Sequence, residues 1–222
     1  MALQGIHWLG HASFRLEGTL TIYIDPWKLK GTLPADLILI THAHHDHLSV
    51  GDVARIVHGK TVIVCPPSCV GQLAGDVRMV KPGDMVRLDG VTVEAVPAYN
   101  TNQPNHPKTA GNVGYIVEMD GRRVYHAGDT DLIPEMVGLC CDVALLPIGG
   151  TYTMNADEAA EAVQRIMPRV VVPMHWGDIV GSERDVKHFQ KRLAEMAELK
   201  GVEVAAPPVV AAPPVVAVLS TQ

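Results

Sequence analysis

Apolar residues in this chain fall in short runs separated by turns rich in glycine, proline and asparagine, which predicts many strands and few helices. Residues 6–9, 12–16 and 20–24 alternate around Gly10 and Gly18, predicting an antiparallel meander that ends at Asp25-Pro26. Residues 37–40, Leu-Ile-Leu-Ile, form a continuous apolar run, the mark of a strand buried on both faces. Ser49, with Asp52 three residues on, predicts a helix start, and the helix spans 50–57. A second buried strand is expected at 61–65, with a short helical piece after Pro67. Strands follow at 77–80, 84–88 and 91–96, with turns at Pro82-Gly83 and Asp89-Gly90. Asp120-Gly121 between 113–119 and 122–125 is a two-residue hairpin signal. Residues 143–146 and 170–172 read as further buried strands.

Two helices have clear signatures. Asn155 and Glu158 form a capping box for 156–167, which Pro168 closes, and Val186, Phe189, Leu193 and Met196 set an apolar face along 183–200. Residues 99–112 have no apolar period and read as a loop, long enough to carry function. From about residue 205 an Ala/Pro/Val tail repeats Ala-Pro-Pro-Val-Val-Ala, either low complexity or an extended terminal strand. With no interior linker, one domain over 1–222 is expected.

The candidate chemistry begins where the 37–40 strand ends, in Thr41-His42-Ala43-His44-His45-Asp46-His47. Imidazoles at the end of a buried strand are costly to desolvate unless something binds them, and histidine with carboxylate is a metal-ligand set. In extended chain His42 and His44 share one side and can share one ion. Asp46 and His47, as the chain turns towards a helix, can face a second. Asp129, in His126-Ala127-Gly128-Asp129-Thr130, and His175, in Pro173-Met174-His175, also follow predicted strands. Taken singly, the first is a turn aspartate or a ligand and the second a core histidine or a ligand. Taken with the first motif, both are expected to be ligands, because strand ends converge on clefts.

Composition narrows the class. The chain has 222 residues, 47% hydrophobic and 19% charged, which is a globular balance. A formal net charge of −6 weighs against a nucleic-acid partner. No apolar run is long enough to span a membrane, and residues 1–8 carry no secretory pattern. Cys65, Cys69, Cys140 and Cys141 form no Cys-x-x-Cys pair, so reduced, mostly buried thiols and a cytoplasmic location are expected.

In motif order and spacing, Thr-His-Ala-His-His-Asp-His, the later His-Ala-Gly-Asp-Thr and the final Pro-Met-His resemble the metallo-β-lactamase superfamily. The stretches Gly10 to Phe14, Ile24-Asp25-Pro26 and Tyr125 to Thr130 are similar to a branch of small hydrolases related to ascorbate-6-phosphate lactonase and, more distantly, to N-acyl-phosphatidylethanolamine phospholipase D. The resemblance implies an α/β fold, a four-layer αββα sandwich, with a dinuclear site on one edge. It implies His42 and His44 on a first ion, Asp46, His47 and His175 on a second, and Asp129 between them. The family's further histidine on the first ion is missing, since Asn100 stands near the place, and the nearest histidine, His106, is expected to take the role. Asp25 and His11 are expected to support ligands from behind, His11 alternatively being a turn histidine held by backbone. His45 is expected to face away and His126 to pack.

Two ions, zinc or manganese, with iron as a third option, would generate hydroxide for attack on an ester, lactone or phosphodiester of a small substrate, with Asp46 orienting it. Tyr99, Asn100 and Lys108 on the long loop are candidate substrate contacts. Two other readings stand beside this: an iron-dependent redox enzyme of the same fold, and a binding protein with a vestigial site, to which Asn100 lends weight.

Overall fold

A computed structural model of the protein describes residues 3–199 and 215–216. The antiparallel start is β1 (Ile6–Gly10), β2 (Ser13–Glu17) and β3 (Thr21–Ile24). Parallel strands β4 (Leu37–Leu39), β5 (Val62–Cys65) and β6 (Asp76–Met79) continue the same sheet in the order β1-β2-β3-β4-β5-β6. The second sheet opens with the antiparallel strands β7 (Met85–Leu88), β8 (Val91–Pro97), β9 (Val113–Met119) and β10 (Arg122–His126). It continues in parallel through β11 (Val143–Pro147), β12 (Val170–Met174) and β13 (Val215–Val216). Each sheet is thus half meander and half parallel.

Period-two alternation sorts the side chains of the first sheet. Leu37, Leu39, Val62 and Val64 point into the main core with Phe14 of the same sheet and Tyr115 and Val117 of the facing sheet. Ile38, Ile40, Ile63 and Cys65 point outward, where α1 (Val50–Ile56) and α2 (Pro67–Val70) cover them with Val53, Ile56 and Cys69. On the second sheet α3 (Ala156–Ile166) and α4 (Glu183–Leu199) bury Ala159, Val163, Val186 and Phe189 in the same core as β11 and β12. The result is the α/β sandwich expected, helices outside and two sheets within. Both caps form as the sequence implies: Ser49 accepts from the Asp52 amide, and Asn155 and Glu158 close a full capping box.

Element boundaries differ from expectation by a residue or two, as helix and strand ends do. The expected loop 99–112 contains one short 3-10 turn, Lys108–Ala110. Of the tail, Val215 and Val216 pair in parallel with Val170 and Val171, and its remainder lies outside the described residues. All four cysteines are unpaired, but only Cys65 and Cys69 are buried; Cys140 is exposed, contrary to the expectation of mostly buried thiols. It sits on the irregular turn before β11, where no periodicity marks an inward side. No helix among the described residues is long and apolar enough to cross a membrane.

The Tyr115 hydroxyl donates across the core to the Ile40 carbonyl at 2.7 Å, tying the second sheet to the last residue before the histidine motif. Tyr115→Phe should lower unfolding free energy by about 1–2 kcal/mol. Chemical denaturation would measure this; an unchanged midpoint would mean that the bond adds nothing.

Candidate metal centre

The first motif is fixed from behind by one carboxylate. Asp25, fully buried at the end of β3, accepts the Thr41 amide at 2.8 Å and the Thr41 hydroxyl at 2.7 Å. It also accepts His47 Nδ1 at 2.7 Å, so both ends of the turn hang on it. The Thr41 proton is committed to Asp25, so in the 2.9 Å contact between Thr41 Oγ1 and His42 Nδ1 the histidine is the donor. Both His42 and His47 are therefore protonated at Nδ1 and turn Nε2 inward.

His106 is oriented in the same way, by the residue that stands near the family's missing histidine. Asn100 Oδ1 accepts His106 Nδ1 at 2.9 Å and the His106 amide at 3.0 Å. The Asn100 amide nitrogen donates to Asp131 at 2.7 Å and to the Tyr152 carbonyl at 2.8 Å, which fixes its flip. The Asn100 amide N–H also donates to the His106 carbonyl, closing the loop on itself at 2.8 Å. Asn100 thus holds an imidazole in place instead of supplying one.

Two groups of potential ligand atoms result, each lying within 4.8 Å of one another: His42, His44, His106 and Asp129, and His11, Asp46, His47 and His175. In the first, His44 Nδ1 is 3.0 Å from His42 Nε2 and 3.1 Å from His106 Nε2. Ligand atoms set tetrahedrally at about 2.1 Å from one ion stand about 3.4 Å apart, so these spacings fit a shared cation. Asp129 lies between the groups. Its Oδ2 is 3.4 Å from His106 Nε2 and 3.2 Å from His175 Nε2, and its Oδ1 is 3.2 Å from His47 Nε2.

His11 enters the second group through a β-bulge. The β1–β2 register shifts between Trp8 and Gly10, and His11 adopts φ 52° at the turn. Its carbonyl accepts the His175 amide and the Trp8 indole, both at 2.9 Å, and its ring stands 4.0 Å from that of His175. Its Nε2 reaches Asp46 Oδ2 at 3.1 Å. His11 therefore lies beside the potential ligands, where it hydrogen-bonds Asp46.

Every member of both groups except His44 is buried. Burial pushes the His42 imidazolium well below its ordinary pKa, aided by His47, so His42 is a neutral donor at neutral pH. Burial also opposes charge on His47, but Asp129 and Asp25 outweigh it and raise its pKa well above the usual value. Asp129 is held well below the carboxylate range, burial being outweighed by His175 and His47. Burial likewise works to raise Asp46, and the hydrogen bond from His11 with the charge of His47 overrides it.

The fit to metal is carried by atoms that satisfy nothing else. His47 Nε2, His175 Nε2 and Asp129 Oδ1 are buried without a hydrogen-bond partner, although they face a common space. Buried polar atoms are rarely left so, and two imidazole nitrogens beside a carboxylate oxygen suit a cation, which would take the place of the proton that His47 otherwise holds.

The remaining sequence candidates fall elsewhere. Tyr99 donates its hydroxyl to Glu135 at 2.9 Å and Lys108 pairs with Glu135 at 2.7 Å, so the two brace the loop. The cleft over the ligands is bordered by His45, Asn105, Tyr152 and Ile179, not by Tyr99, Asn100 or Lys108. No periodicity or motif marks Asn105, Tyr152 or Ile179 as lining residues. His45 faces solvent beside Asp46 at 3.6 Å. His126 donates to the Ala12 carbonyl at 2.8 Å and accepts the Gly128 amide at 3.1 Å, a satisfied packing residue. Asp131, which anchors Asn100 and the Thr101 amide, escaped sequence reasoning; its place two residues after Asp129 was the available signal.

Comparison with known proteins places these features. The profile of the Beta-lactamase superfamily domain matches residues 5–175. A UPF0173 metal-dependent hydrolase of Thermococcus kodakarensis is 38% identical over 212 residues, covering 87% of this chain and 94% of its own. A crystal structure of a candidate metal-dependent hydrolase from Parabacteroides distasonis superposes with TM-score 0.80 at 31% identity, over 98% of this chain and 93% of the other. Igni18, a metallo hydrolase from Ignicoccus hospitalis, superposes with TM-score 0.74 at 29% identity, over 97% and 94%.

Asn100→Ala should weaken metal binding at the His42–His44–His106 group by about 10- to 100-fold and leave the other group nearly unchanged. Stepwise calorimetric titration would resolve the two events. Equal weakening of both, or of neither, would contradict the orienting role of Asn100.

Proposed function

Because this chain belongs to the metallo-β-lactamase superfamily, we propose that it is a hydrolase that holds two divalent ions and cleaves an ester, lactone or phosphodiester bond of a small substrate. The observation carrying the proposal is Asp129, a buried carboxylate with an oxygen turned to each group of imidazoles. In this reading His42, His44 and His106 hold one ion, and His47, His175 and Asp46 hold the other. Zinc or manganese is favoured, with iron also compatible with imidazole and carboxylate donors. When bound, such ions lower the pKa of water and polarise the scissile bond.

The chain's own residues do the rest. Asp129 fixes the separation of the two groups. Asp46, on the cleft wall and steadied by His11, orients the attacking water and accepts its proton. Asp25, Thr41 and Asn100 hold the imidazoles in the tautomer that presents a lone pair. The finer likeness to ascorbate-6-phosphate lactonases belongs to this proposal as well. So does a cytoplasmic setting, which the four unpaired cysteines favour.

Mass-spectrometric metal content of protein supplied with manganese or zinc should be near two equivalents, falling to about one in His106→Ala. A wild-type protein that takes up no metal, or hydrolyses nothing in an ester, lactone and phosphodiester panel when fully loaded, would defeat the proposal.

A further inference from the structure

We infer that the cleft takes uncharged carboxylic esters or lactones, with the acyl portion against Ile179 and Tyr152, in preference to phosphodiesters. This rests on the hydrolase reading above and narrows it. The cleft, of about 220 Å³, is bordered by four of the ligand residues and by His45, Asn105, Tyr152 and Ile179.

Two independent observations select the substrate class. First, no lysine or arginine is among the described residues bordering the cleft, whereas enzymes of phosphoryl transfer place such cations on the phosphate oxygens. The lysines on neighbouring loops are committed: Lys28 to both oxygens of Asp178 at 2.9 Å, and Lys108 to Glu135 at 2.7 Å. Second, Ile179 is 41% and Tyr152 37% exposed, two large apolar surfaces at the mouth of an otherwise polar site. Apolar surface gathered beside a reactive centre fits an apolar portion of the substrate.

Ile179 is also presented on a built element. Its loop has Gly177 at φ 84° and Gly181 at φ 67°, and a Cβ on Gly181 would come within 2.9 Å of Trp176 Cβ. The Lys28–Asp178 pair clasps this loop to the segment after β3. The reaction balances simply: water oxygen bonds to the carbonyl carbon, the carbon–oxygen ester bond breaks, and the water proton passes to the leaving alkoxide, giving an acid and an alcohol.

The test uses the manganese-loaded protein, p-nitrophenyl butyrate and bis(p-nitrophenyl) phosphate, each rate divided by its uncatalysed rate in the same buffer. Wild type should accelerate the butyrate ester more than the diester. Ile179→Lys should move the ratio of kcat/KM by about tenfold towards the diester, chiefly through KM. A larger acceleration of the diester by wild type, or a ratio untouched by Ile179→Lys, would overturn the inference. Turnover of neither substrate by protein holding two ions would bring down the hydrolase reading itself. Binding alone gives a separate answer: in zinc-loaded protein the Ile179 methyl resonances should shift with butyramide and not with diethyl phosphate, and the reverse would reject the inference.

Discussion

The structure depends on how a buried negative charge is compensated. Asp129 is 3% exposed and sits among the imidazoles of His42, His47, His106 and His175, whose Nε2 atoms lie 3.8, 3.2, 3.4 and 3.2 Å from its oxygens. An isolated carboxylate in such surroundings costs several kcal/mol, and Asp46 and Asp25 add to the burden. Protons on histidine supply part of the compensation, which is why His47 is driven upward by its carboxylate neighbours. A divalent cation supplies it more fully and suits the lone pairs left without partners. Strands β3, β4, β10 and β12 and the bulge in β1 all end at this one place, and it is their endings that make it.

Behind those donors stands a set of hydrogen bonds whose effect is directional. Asp25, Thr41 and Asn100 each take the Nδ1 proton of one imidazole and so point its other nitrogen inward. The backbone is strained to the same end. His11, Asp25 and His175 have φ of 52°, 48° and 57°, a region that costs side chains other than glycine on the order of 1–3 kcal/mol. Packing secures these conformations: a Cβ on Gly149 would come within 2.5 Å of the His175 carbonyl, so the turn after β11 leaves room for that histidine and no more.

Much of this was legible in the chain. Alternation along residues 6–24 and continuous apolar runs at 37–40, 61–65 and 143–146 mark strands because burial on one or two faces writes itself into residue type. The gathering of His42, His44, Asp46, His47, Asp129 and His175 was legible because each follows a predicted strand. The role of Asn100 was not. Read along the sequence it is an absent histidine, and only the loop that closes from Asn100 to His106 shows it to be a support for one. That His11 reaches Asp46 was not legible, because a bulge, which leaves no periodic signature, aims it. Tyr152 and Ile179 border the cleft through loop geometry alone, and the loop residues Tyr99 and Lys108 turn instead to Glu135.

In the proposed hydrolase, Asp129 joins two cation sites built from the two groups of imidazoles. The most direct measurement is anomalous scattering from crystals grown with manganese. Two peaks separated by about 3.5–4 Å are expected. One should lie within bonding distance of His42, His44 and His106, the other within bonding distance of His47, His175 and Asp46, with an Asp129 oxygen on each. A single peak away from Asp129, or none in fully soaked crystals, would contradict it.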